Sequence, residues 1–272
     1  MAIEIKSSKT SAKTWRKFII YGRPGKGKTM ITPTCPKPIL LLTEPGGADS
    51  LTERNIKSVF GEPQTPAQIK ARLLKEGCPE KEADALSKAL VISYDIPRLE
   101  IFDLAALKEA IAWLKSPAAA EYQTVVMDSL SAASKMLLAH HETKTKHGMK
   151  AYGAQAKDIE ATLRDFLSIP KHVVCLMQAA ELTDTVGTGE DAIQIKYLVP
   201  SVEGRTMKMA IPHMFGEVYQ ADTKTNDAGQ LEYFLQTRPT DPRGYEKTRM
   251  SILQDQEVPH IGQIIHTMNT HG

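Results

Sequence analysis

FIIYGRPGKGKTM, residues 18–30, decides how the rest of the chain is read. Phe18–Tyr21 fits a short buried strand, and Gly22 ends it. Gly22–Thr29 then matches G-x-x-x-x-G-K-[ST] without a gap, and the residues from Gly27 to Ile31 predict the start of a helix that Pro33 cuts short. That context is what a phosphate cradle requires. Gly22, Gly25 and Gly27 let the backbone turn its N–H groups onto phosphate oxygens. A helix starting near Lys28 would add its positive end at the same point. The nucleotide-binding set is therefore Gly22, Arg23, Pro24, Gly25, Lys26, Gly27, Lys28, Thr29 and Met30. Lys28 is expected on the β- and γ-phosphates and the Thr29 hydroxyl on magnesium.

A cradle needs an acid from another strand. TVVMD, residues 124–128, is an apolar run that ends on Asp128, the expected partner of Thr29 at the metal, with Ser129 behind it. Turnover also needs a group that polarises water. Glu44 closes ILLLTE, a run too short for a helix and bounded by Pro and Gly, read as a buried parallel strand beside the first. Strand ends of such a sheet converge on one crevice, so Glu44 is the candidate general base, with a capping or surface acid as the competing reading. Gln178, at the end of VVCLMQ, is placed to sense the γ-phosphate; a buried amide satisfied by backbone is the alternative.

Working outward, RLEIF (98–102) predicts a short strand. Asp103 is an N-cap candidate for an amphipathic helix through Leu104, Leu107, Ile111 and Leu114. A long helix is expected over about 155–167 and a buried strand over 172–180. Residues 181–191, ELTDTVGTGED, read as a polar loop. IQIKYLVP, EVYQADT, LEYFLQT and SILQD read as further strands. Alternating strands and helices predict an α/β fold with a mostly parallel central sheet, flanked by helices and finished by antiparallel C-terminal edge strands. Residues 63–90 carry helical spacing broken by GCPE, which predicts a hairpin of two short helices inserted in one domain spanning 15–272. Residues 1–14 read as a flexible segment.

Composition narrows the function. With 42% hydrophobic and 24% charged residues the chain is globular, and a formal charge of +2 excludes a polybasic binder as a whole. Three cysteines, Cys35, Cys78 and Cys175, form no C-x-x-C pair and no even set, so a reduced, cytoplasmic setting is expected. No run is long enough to cross a membrane, and the N-terminus has no signal-peptide pattern. Residues 135–157 carry five lysines and three histidines against one glutamate. A loose basic segment holding Lys144, Lys146, Lys150 and Tyr152 suits a single-stranded DNA backbone and a stacked base, with a solvated helix face as the alternative.

GRPGKGKT, LLLTEPGG, VVMDSLSA, GMKAYGAQAKDIEATLRDFL and VVCLMQAAE together resemble the core of RecA-type recombinases, over about residues 15–215. The resemblance is nearer to the compact RecA-like ATPases of bacteriophages linked to single-strand annealing and recombination. It implies ATP as the nucleotide, self-association into a ring or filament with nucleotide between neighbours, and a bacterial host cell. It also matches Glu44, Asp128 and Gln178 to the family's catalytic, magnesium-site and γ-phosphate-sensing positions. Residues 141–153 and 181–196 become its first and second DNA loops, and Arg205 or Lys208 a contact to the neighbour's phosphate. The second loop departs from the pattern in carrying Asp184, Glu190 and Asp191, and the helical insertion has no counterpart in the recombinase core. The expected function is ATP hydrolysis coupled to single-stranded DNA annealing or strand exchange. The rival readings are a helicase motor or loader, with Arg205, Arg238, Arg243 or Arg249 as its finger in trans, and a nucleotide-gated scaffold without DNA. A small-molecule kinase would need an arginine-rich lid, and no arginine lies between Gln178 and Arg205.

Overall fold

Four runs of apolar residues buried on both faces dictate where the sheet lies. They are β1 (Lys17–Gly22), β2 (Pro38–Leu42), β4 (Thr124–Asp128) and the first part of β5 (His172–Val186). Strands covered on both sides read as continuous hydrophobic runs, and these pair in parallel. The computed structural model describes residues 15–142, 148–187, 192–203 and 205–271. With β3 (Arg98–Glu100), β7 (Glu217–Thr225), β8 (Leu231–Gln236) and β9 (Gln256–Glu257), the sheet order is β3-β2-β4-β5-β1-β7-β8-β9. Pairing is parallel from β3 to β7 and antiparallel from β7 through β9. The expected α/β architecture is therefore present, with its antiparallel edge.

Successive residues of each strand face opposite layers. Ile19, Tyr21, Leu41, Val125, Met127 and Cys175 join one core layer, under α4 (Leu104–Lys115), α5 (Leu130–Glu142), α6 (Gly148–Leu167) and α7 (Arg205–Met214). Phe18, Ile20, Leu40, Val126, Val174 and Tyr219 join the other. Asp103 caps α4 as expected, its side chain accepting from Ala106 N at 2.8 Å.

The second layer holds the first correction. After the phosphate loop the chain makes only a six-residue 3-10 helix, Thr29–Thr34, with Pro33 inside it. Proline removes a backbone donor and blocks propagation, and Pro36 and Pro38 follow at once. No long helix dipole points at the loop. The sheet face left open is covered from the far end of the chain by α8 (Ile261–His271), through Ile261, Ile264, Ile265 and Met268. The buried Thr34 hydroxyl accepts from Ile261 N at 3.0 Å and joins the two segments. Neither α7 nor α8 was among the sequence expectations, nor was α1 (Glu53–Phe60).

Residues 63–90 hold two short helices, α2 (Pro66–Lys75), with a Thr65–Gln68 capping box, and α3 (Glu80–Ala89). Ile69, Leu73 and Ala83 form a small cluster apart from the main layers. Gly262 is required where α8 meets α3, because a Cβ there would lie 2.1 Å from the Ala89 carbonyl oxygen.

Three further expectations change. β2 does not lie beside β1, since β4 and β5 separate them. Residues 181–191 are not a loop throughout: β5 runs on to Val186 and pairs antiparallel with β6 (Ile193–Pro200), from Ala179↔Pro200 to Val186↔Ile193. Thr183, Thr185 and Val186 are β-branched and favour the extended arm. The basic stretch 135–157 is largely helical, in α5 and α6, rather than loose. Residues 251–255 form no strand.

Candidate functional site

The expected phosphate loop has the turns its glycines allow. Gly25 and Gly27 take φ of 77° and 73°, the left-handed region closed to most side chains. Gly22 meets a different constraint: a Cβ there would lie 2.5 Å from the Ala221 carbonyl oxygen of β7. The loop thus starts in the middle of the sheet, between β5 and β7, where the backbone has no room for a side chain.

Lys28 reaches back across the loop. Its Nζ donates to the carbonyls of Gly22 and Arg23, both at 2.9 Å. Burial lowers its pKa, while the nearby carboxylates of Asp128 and Glu44 raise it. Thr29 Oγ1 donates to Asp128 Oδ2 at 2.6 Å, which brings the end of β4 to the loop across the intervening β5. Burial pushes the Asp128 carboxyl up; the Thr29 hydrogen bond opposes this, Glu44 adds to it and Lys28 opposes it. Lys28, Thr29, Asp128 and Glu44 therefore share one crevice.

Glu44 reaches that crevice although β2 is not next to β1, because the exits of β2 and β4 are stitched together. Thr43 N donates to Asp128 O at 2.9 Å, Thr43 Oγ1 donates to Ser129 O at 2.7 Å, and Ser129 N donates to Thr43 Oγ1 at 2.8 Å. Ser129 Oγ then donates to Glu44 Oε1 at 2.6 Å. The Ser129 hydroxyl holds one carboxylate oxygen and leaves Oε2 for other work. Thr43 escaped the sequence reading; its signal was a polar residue at the last buried position before the acid.

Gln178 stands opposite Gly22 in the β1–β5 register, at the root of the β5–β6 hairpin. Ser131 at the start of α5 ties that root down: its hydroxyl accepts from Gln178 N at 3.0 Å and donates to Ser201 O at 2.6 Å. Two basic residues of the loop are already paired. Lys26 Nζ bonds Asp222 at 2.8 Å and Thr223 Oγ1 at 2.6 Å, and Arg23 Nη2 bonds Glu181 of the hairpin at 2.7 Å. Pro24 is exposed at the turn, and Met30 lines a cavity on the far side of the loop.

The remaining expectations fall elsewhere. Lys144 and Lys146 lie outside the described residues. Lys150 and Tyr152 belong to α6, and their side chains are likewise outside the description. Arg205 and Lys208 stand on α7. Of the finger candidates, Arg238 is spent on Asp255 at 2.5 Å and on the carbonyls of Ser251 and Leu253. Arg243 binds Asp184 of the hairpin at 3.2 Å and Asp241 at 3.3 Å.

The donor set suits a magnesium nucleotide. A hydroxyl and a carboxylate within 2.6 Å of each other are hard oxygen ligands, and the cation expected there would keep several waters. Among the described residues no cluster of His, Cys, Asp and Glu competes for a metal, and no helix is long and apolar enough to cross a membrane.

Comparison with known proteins gives a family. No curated protein matches the chain. Among solved structures 131 chains match, including a crystal structure of the RadB recombinase. That structure aligns over 82% of this chain and 87% of its own, at 15% identity and a TM-score of 0.34, a likeness that carries no argument about activity. A family model described as an AAA domain matches residues 14–250, a span that contains the phosphate loop, Glu44, Asp128 and Gln178. The chain belongs to this AAA domain family and is a P-loop nucleoside triphosphatase.

Proposed function

We propose that the chain hydrolyses ATP with Glu44 as general base and couples turnover to binding single-stranded DNA, in annealing or strand exchange. The observation that supports the ATPase half is the meeting of Lys28, Thr29, Asp128 and Glu44 at the strand exits beside the phosphate loop. Lys28 exchanges its two carbonyl partners for β- and γ-phosphate oxygens. Thr29 would offer its hydroxyl to the metal, and Asp128 would orient a water bound to it. Magnesium bound with the nucleotide supplies positive charge against the phosphates. Glu44, held through Oε1 by Ser129, takes the proton of the attacking water on Oε2. The water oxygen bonds to the γ-phosphorus as the bond to the bridging oxygen breaks, and ADP and phosphate leave. Gln178 senses the γ-phosphate and transmits its loss to the hairpin it anchors.

Support for the DNA half is the basic run that includes Lys144, Lys146 and Lys150, with Tyr152 as the stacking residue, together with the resemblance to recombination ATPases. Self-association places Arg205 or Lys208 on the neighbour's phosphate. One observation favours a second reading, a nucleotide-gated scaffold that never touches DNA. The hairpin expected as the second DNA loop carries Glu181, Asp184, Glu190 and Asp191 against Lys196 alone, a charge balance that repels phosphates.

ATP turnover with and without single-stranded DNA, at two salt concentrations, separates the two. Stimulation that fades at the higher salt is expected for the DNA reading. Turnover indifferent to DNA would reject it and leave the scaffold.

A further inference from the structure

On the β7–β8 side of the phosphate loop lies a cavity of about 460 Å³, within the range of about 300–1,000 Å³ usual for small-molecule sites. We infer that this cavity receives the base of the nucleotide, with Tyr233 as its stacking surface, and that it accepts adenine and guanine with similar affinity. The inference rests on the reading that the loop holds a triphosphate.

The cavity is continuous with the phosphate loop. Gly25 through Thr29 form one wall of the cavity, so a nucleotide whose phosphates lie on the loop has its base directed into this space or into solvent. Tyr233 is seated against the loop itself. A Cβ on Gly27 would come within 3.0 Å of Tyr233 Cδ1, so the ring occupies room that only glycine leaves. The cavity also carries unburied apolar surface. Tyr233 is 43% exposed and Val59 of α1 is 60% exposed, both on the cavity, with Phe60 and Pro259 beside them. A planar ring laid there removes that surface from water, and stacking on an aromatic side chain is worth about 1–3 kcal/mol per base.

Selectivity follows from what the wall lacks. Among the described lining residues, the side-chain polar groups outside the loop are the hydroxyls of Ser50 and Tyr233. A hydroxyl donates or accepts as needed, so it does not separate a 6-amino from a 6-oxo group. Of the two loop lysines on the cavity, Lys26 is held by Asp222 and Thr223, and Lys28 by the carbonyls of Gly22 and Arg23. No side chain of the wall outside the loop therefore separates adenine from guanine, while stacking area favours purines over pyrimidines.

Competition binding in magnesium buffer tests this with ATP, GTP, CTP and inorganic tripolyphosphate, on wild type, Tyr233→Ala and Tyr233→Phe. In the wild type, ATP and GTP are expected within about tenfold of each other and CTP weaker than both. Tyr233→Ala weakens ATP and GTP together by about tenfold or more and leaves tripolyphosphate unchanged, while Tyr233→Phe keeps wild-type affinities. Three results overturn the base site alone, with tripolyphosphate still bound by the wild type. They are ATP preferred over GTP by more than 100-fold, a Tyr233→Ala variant that binds ATP normally, or one that loses tripolyphosphate as much as ATP. A wild type that binds neither ATP nor tripolyphosphate overturns the phosphate-loop reading as well.

Discussion

The two flanks of the phosphate loop are built on opposite principles. Toward β4 and β2, Asp128, Glu44, Ser129 and Thr43 are fixed by short hydrogen bonds between strand exits. Toward β8, Tyr233, Phe60 and Val59 bound an open apolar space. The first flank holds charge in place before any ligand arrives, which suits chemistry on a phosphate. The second offers surface and little direction, which suits holding a ring whose identity matters less. Substitutions on the two flanks should therefore fail in different ways.

The largest effect is expected at the shared centre. Lys28→Ala removes the cation that both flanks depend on, and should weaken ATP and tripolyphosphate alike by at least about 100-fold, a loss of two charge-assisted hydrogen bonds. Calorimetric titration with both ligands checks it, and loss confined to ATP would break the comparison. Gly27→Ala comes next, because it touches both sides: it strains a φ of 73° and presses on Tyr233. A stability loss of about 1 kcal/mol or more should accompany weaker binding of ATP, measured by denaturant melts and by titration.

Asp128→Asn sharpens the comparison from the charged side. The folded-state pKa of Asp128 is raised by burial, so its contribution to stability is present below the unfolded value of about 3.9 and lost as pH rises through the folded value. At neutral pH the nucleotide-free protein carries that cost. Asp128→Asn should melt a few degrees higher than wild type at pH 7, converge with it toward pH 4, and lose the stabilisation that magnesium and ATP give the wild type. Thermal melts across pH decide it. Arg23→Ala is the smallest change: its pair with Glu181 is exposed, and less than about 1 kcal/mol of stability should go with it. A larger loss would mean that the hairpin is clamped to the loop more firmly than its exposure implies.

The charged flank was largely legible in the sequence because each part of it is local. An apolar run that ends in Asp128 or Glu44 announces a strand exit, and the glycine spacing announces the loop. What the sequence hid was adjacency. Nothing in ILLLTE says that β2 pairs with β4 rather than β1, and the Thr43–Ser129 stitching depends on that order. The apolar flank was barely legible. It gathers α1, β8 and Pro259 from distant parts of the chain, and its only local signal was the adjacent aromatics Tyr233 and Phe234 on a predicted strand.

Elsewhere composition competed with pairing. The polar stretch after Gln178 looked like a loop, yet its backbone groups are satisfied by β6, so it extends as a strand. The helix expected to start near Lys28 is cut short, as Pro33 predicts, and with Pro36 and Pro38 following it closes as a 3-10 turn rather than an α-helical one. In α8, by contrast, Ile261, Ile264, Ile265 and Met268 follow helical spacing that was open to the reader.

Glu44→Gln gives the most direct test of the catalytic arrangement, because it removes a proton acceptor while keeping the shape and the hydrogen bond from Ser129. ATP affinity and single-turnover hydrolysis are measured on the same preparation. Affinity within a few-fold of wild type, with hydrolysis slowed by about 100-fold or more, is the predicted result. Hydrolysis at the wild-type rate would contradict it, since the carboxylate gathered beside Lys28 and Asp128 would then have no part in the reaction.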